Sequence, residues 1–154
     1  MSNQRLPKQV YEELALFRYR IRKFIRFSEE AAREQGLTPQ YHQLMLAIMG
    51  FPDRECATPK ELAERLQITP HACLGLIKRC EGLNYVQRFP NPADRRSVFI
   101  GLTEHGMQLL EALSEMHVEE LNRAGLMTIY KEKYSHEDES LIVHTTKSGQ
   151  NRDN

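Results

Sequence analysis

The sequence predicts a mainly α fold carrying one small β-hairpin, and three observations carry that prediction. Apolar residues recur every three or four positions over most of the chain, in segments opened by Thr-Pro pairs. Between Thr58 and Thr103, two short capped segments precede two strand-like runs that flank the tip Asn91-Pro92-Ala93-Asp94-Arg95-Arg96. Charge is segregated along the chain. From Thr69 to Arg96 five bases face two acids, whereas from Thr103 to Leu141 nine acids face three bases. Helix, turn, helix and hairpin in that order make a winged helix-turn-helix lobe. The helices before and after it are expected to serve dimerisation.

The first helix is expected from Val10 to about Gln35. Val10, Leu14, Phe17, Ile21, Phe24 and Ser28 step by 4, 3, 4, 3 and 4, a stripe of about seven turns that calls for a partner surface. Arg18, Arg22 and Arg26 form a row beside it, followed by Glu29, Glu30 and Glu34. These read as a solvated, ion-paired face, or as one arginine turned toward an anionic effector. Gly36 ends the helix, since glycine accepts the left-handed conformation found there.

Thr38-Pro39 opens a second helix with Tyr41, Leu44, Met45, Ile48 and Met49 on one face, and Pro52 to Cys56 reads as a polar loop. Thr58-Pro59-Lys60-Glu61 is a capping box, and Leu62, Ala63 and Leu66 make the helix behind it amphipathic. Gln67-Ile68 is the turn, and Thr69-Pro70 caps the next helix, which reaches about Gly82. At about 100° per residue, Cys73, Leu76, Ile77, Cys80 and Leu83 fall on one side of this helix. His71, Gly75, Lys78 and Gly82 fall opposite, flanked by Leu74 and Arg79. The outward set is small, polar and basic, as befits a helix laid against phosphates and base edges. Tyr85–Phe89 and Ser97–Leu102 are the strands of the wing, which must lean on the helices to persist. Thr103 caps a further helix with Met107, Leu110, Leu113, His117 and Leu121 along one stripe, weakening near Gly125. Leu126 to Tyr134 is read as a short helix.

With 154 residues, 40% hydrophobic and 27% charged, the chain is expected to form a single domain over residues 8–145. Within it, 58–103 is the DNA-binding core, 8–36 and 104–145 are the helical dimerisation region, and 146–154 is a disordered tail. No apolar run approaches the roughly 18 residues of a membrane span, and the first residues lack the apolar stretch of a signal peptide. A cytoplasmic protein without membrane contact is therefore expected. Three cysteines supply no disulfide framework.

Leu62-Ala63-Glu64-Arg65-Leu66, the capped helix after it, and Asp94-Arg95-Arg96-Ser97-Val98 leading to Leu102-Thr103-Glu104-His105-Gly106 resemble MarR-type transcriptional regulators. The specific part is the D-x-R wing followed by an L-T-x-x-G helix start, and the resemblance spans about residues 10 to 125. It implies a homodimer with interlocking first and last helices that binds a palindromic operator in double-stranded DNA, in most members as a repressor. Val10, Leu14, Phe17, Ile21 and Leu121 would serve dimerisation. Thr69, His71, Ala72, Leu74, Gly75, Lys78 and Arg79 would face or flank the major groove, with Arg88 beside them. Arg95 or Arg96 would enter the minor groove, braced by an ion pair to Asp94. Many members respond to small, often aromatic, anionic ligands, and Arg22, Tyr41, His42 and Met45 are the residues expected to line such a pocket. Leu74 and Gly75 stand where many members carry Thr and Arg, and Leu74 suits contact with a thymine methyl.

Other classes fit less well. No phosphate loop, nucleophile elbow or paired catalytic carboxylates point to an enzyme, and neither a cofactor nor a metal is expected. The six histidines show no H-x-x-x-H spacing and the cysteines no C-x-x-C. A thiol-based redox sensor of the same fold would use Cys56, beside Arg54, since Cys73 and Cys80 fall on the core face. A winged-helix module that binds protein and not DNA is the remaining alternative.

Overall fold

The computed structural model describes residues 5–125; the expected helix after Gly125 and the tail at 146–154 lie outside them. The element order is α1 (Lys8–Glu34), α2 (Pro39–Met49), β1 (Cys56–Ala57), α3 (Pro59–Leu66), α4 (Pro70–Gly82), β2 (Val86–Pro90), β3 (Val98–Leu102) and α5 (Glu104–Ala124). The chain divides into two compact units, one holding residues 27–115 and the other the flanking segments.

In the lobe of residues 27–115, threonine sets every helix start that follows α1. Thr38, Thr58 and Thr69 each have extended backbone and accept an N–H from three residues on, with proline in the first turn. Thr58 and Glu61 close the expected capping box: the Thr58 N–H donates to the Glu61 carboxylate at 2.8 Å, and the Glu61 N–H donates to Thr58 Oγ1 at 3.3 Å. The turn between α3 and α4 rests on Gln67, whose backbone is left-handed at φ 54°.

The core of this unit is formed by Leu44, Met45 and Ile48 from α2, Leu62 from α3, Cys73, Ile77 and Cys80 from α4, and Val86 and Ile100 from the strands. Leu83 departs from the expected core set: it is 48% exposed, because α4 ends at Gly82 and the chain turns before reaching it. The wing also carries a strand beyond the expected hairpin. β1 pairs with β3 through Cys56 opposite Gly101 and Ala57 opposite Ile100, giving the antiparallel order β1-β3-β2. Two residues are too short to show a period-2 pattern, which is why the sequence reads there as loop.

The L-T-x-x-G segment has a steric cause. Thr103 Oγ1 accepts the Gly106 N–H at 3.0 Å and donates to the Asn84 carbonyl at 2.6 Å, so it caps α5 and ties it to the end of α4. A side chain at position 106 would overlap the Tyr85 carbonyl, leaving room for glycine alone.

In the other unit, the Phe24 ring meets buried His117 edge-on at 5.9 Å, and Arg123 binds Glu120 at 2.6 Å. Leu14 and Phe17 are 57% and 59% exposed, so this part of the predicted stripe of α1 is an open apolar surface on this chain. No helix among the described residues is long and apolar enough to cross a membrane.

Candidate nucleic-acid interface

The exposed face of α4 follows from its cap and from its buried side. Thr69 Oγ1 accepts the Ala72 N–H at 3.2 Å and fixes the first turn. The Cys73 thiol donates to the Pro59 carbonyl at 3.6 Å and anchors the helix against α3. With Cys73, Leu76, Ile77 and Cys80 buried, His71, Ala72, Leu74, Lys78 and Arg79 are left exposed. Burial raises both core thiols, Cys80 to about 11, so neither ionises at neutral pH.

The wing tip is built from two side-chain turns. Asn91 Oδ1 accepts the Ala93 N–H at 3.0 Å, and Asp94 Oδ1 accepts the Arg96 N–H at 2.9 Å. Asp94 therefore braces the loop chiefly through the backbone; its ion pair, at 3.9 Å, goes to Arg96. Arg95 has no carboxylate partner among the described residues. Arg88 does not present a free charge: its Nε lies 3.0 Å from Glu81 and fastens β2 to the end of α4.

A further arginine, one without a motif of its own, supports the wing from below. Arg54 reaches Glu61 with two nitrogens at 2.6 and 3.0 Å while stacking over the Phe51 ring at 4.4 Å and the Phe99 ring at 5.1 Å. Phe99 in turn lies 5.8 Å from Phe89 across the hairpin. Arg54 thus links the capping box of α3 to β3, a contact that joins residues from separate elements and leaves no local pattern.

The residues expected around a ligand are distributed differently from one another. Met45 is wholly buried and His42 nearly so; both fill the core of the lobe. Tyr41 is half-buried and packs on Tyr85 at 6.2 Å, with His105 a further 5.5 Å from Tyr85. Arg22 belongs to the other unit, where it lines a shallow groove with Leu14, Phe17, Arg18, Ile21 and Ile25. Val10, Ile21 and Leu121 are half-exposed. Cys56 is partly exposed, and its sulfur interacts with the Arg54 guanidinium. No cluster of side chains suited to a metal ion occurs among the described residues.

Comparison with known proteins agrees with this geometry. The sequence model described as "MarR family" matches residues 35–97. The HTH-type transcriptional regulator SarZ of Staphylococcus epidermidis is 29% identical over 116 residues, which is 75% of this chain and 74% of SarZ. AbsC, a MarR family transcriptional regulator from Streptomyces coelicolor, superposes with a TM-score of 0.66 at 21% identity, covering 80% of this chain and 83% of AbsC. A cysteine-to-serine variant of MarR from Escherichia coli, complexed with operator DNA, superposes with a TM-score of 0.59 at 23% identity, covering 78% of this chain and 84% of that one.

Proposed function

We propose that the chain is a MarR-family homodimeric repressor of a pseudo-palindromic operator in duplex DNA, since the MarR family model matches residues 35–97 and the matched relatives are transcriptional regulators. In this reading α4 enters the major groove, the wing enters the adjacent minor groove, and two copies place their recognition helices about one helical turn apart. The observation that carries it is the set of exposed cations without a carboxylate partner among the described residues: Lys78 and Arg79 on α4 and Arg95 on the wing tip. Exposed cations of this kind gain most from a polyanion whose condensed counterions they release. Arg95 is the minor-groove arginine, since Asp94 engages Arg96.

The second copy covers the apolar stripe of α1, where Leu14 and Phe17 stand more than half exposed. Leu121 joins them in the dimer surface. A small aromatic or anionic effector releases the operator by preferring a dimer whose recognition helices are wrongly spaced. It shifts the equilibrium only by its differential affinity for the two states.

The test is selection from random duplexes with the full chain, followed by binding of the winning duplex. A palindromic winner bound by two chains supports the reading, and absence of enrichment at low salt contradicts it.

A further inference from the structure

Gly75 lies half-buried on the outward side of α4, with His71 one turn before it and Arg79 one turn after. A helical side chain leans toward the N-terminus, so Arg79 projects back over the position four residues earlier. The structure shows this: Arg79 Nη1 lies 3.4 Å from where a Cβ on Gly75 would sit. The space beside Gly75 is thus occupied by a guanidinium from the next turn, and Gly75 itself contributes only backbone. No carboxylate among the described residues holds that guanidinium, in contrast to Arg88, which Glu81 binds at 3.0 Å. Glycine inside a helix is unfavourable by roughly 1 kcal/mol relative to alanine. A Cβ there would come into contact distance of Arg79 Nη1 and of nothing else, taking up space beside the guanidinium.

We propose that Gly75 is a seat for Arg79, and that Arg79 so seated reads a guanine in each half-site of the operator. The inference rests on the DNA-binding reading above. A planar fork of donors matches the O6 and N7 acceptors of guanine in the major groove, whereas a lysine offers only a point charge. Gly75 acts here as a positioning residue and Arg79 as the base-contacting one. Lys78, also on the outward face, serves phosphate.

The test is selection from random duplexes, run in parallel with the wild-type chain, Arg79→Ala, Arg79→Lys and Gly75→Ala, together with thermal melting of each. The wild type is expected to enrich one invariant guanine per half-site, with roughly tenfold to hundredfold preference over other bases. Arg79→Ala and Arg79→Lys should lose the preference at that position alone and keep the rest of the site. Gly75→Ala should melt higher than wild type, through helix propensity, yet show a weakened preference at the same position. A merely structural glycine would not separate those two readouts. The inference is overturned if Arg79→Ala weakens all sequences evenly with base preferences intact, or if Gly75→Ala leaves the guanine preference at the wild-type level. Enrichment of no sequence by the wild type would overturn the DNA-binding reading as well, so the two failures are distinguishable.

Discussion

The Arg54 guanidinium and the Glu61 carboxylate meet side by side at 2.6 and 3.0 Å, and the same carboxylate closes the capping box of α3. One acidic side chain therefore holds a helix start and, through an arginine stacked on Phe99, the base of the wing. The Arg54 pair holds the Glu61 carboxyl below its ordinary value of 4.5. A depressed carboxylate gives stability that is present above its unfolded value and is lost as the pH falls through its folded one. Wild-type melting temperature should therefore decline on acidification below about pH 4.5, and Glu61→Gln should show a flatter profile over that range. Arg54→Ala should speed amide hydrogen exchange in β3 more than in α4. Equal protection of β3 in variant and wild type would show that Arg54 does not hold the wing.

Removing the cap itself has a separate cost. Thr58→Ala leaves the Glu61 N–H without its acceptor and should destabilise the lobe by about 1 kcal/mol, read by chemical denaturation. Thr58→Ser should restore most of it.

Gly106→Ala is expected to be far more damaging than its size suggests. The added methyl would meet the Tyr85 carbonyl, which is backbone and is itself bonded by the Thr103 N–H at 3.0 Å. Overpacking of this kind costs about 1–3 kcal/mol, and the rigid neighbour places this case at the upper end. A melting curve indistinguishable from wild type would refute the contact.

The cysteines should differ sharply in reactivity. Toward a thiol reagent at pH 8, Cys56 should react in the native protein while Cys73 and Cys80 should not, because burial keeps both neutral. For Cys80, folded-state ionisation is displaced from 9.0 to about 11, so the stability linked to its neutral form is present below pH 9 and is lost as the pH rises through about 11. Operator affinity unchanged after modification of Cys56 would remove the redox-sensing alternative.

What was legible in the sequence was whatever depends on neighbours along the chain. Thr38, Thr58, Thr69 and Thr103 announce their helices, and Gly36, with φ of 74°, closes the first one. The buried face of α4 follows from periodicity, failing only at Leu83, where the helix has already ended. What was not legible depends on residues brought together from a distance. β1 exists only because β3 lies beside it, and Arg54 matters only because Phe51, Glu61 and Phe99 converge on it. The division of labour at the wing, with Asp94 engaging Arg96 and Arg88 bound to Glu81, likewise needed the folded hairpin.

In the proposed function, binding of DNA by α4 and the wing rests on the exposed cations Lys78, Arg79 and Arg95. It is tested most directly by fluorescence anisotropy of the selected operator across a salt series, comparing wild type with Arg95→Ala. Affinity should fall linearly on a logarithmic salt scale, with a slope steeper than about −4 for a dimer, and Arg95→Ala should bind more weakly with the slope reduced by about 1 per chain. Salt-independent binding, or an unchanged slope and affinity in Arg95→Ala, would contradict this mode of binding.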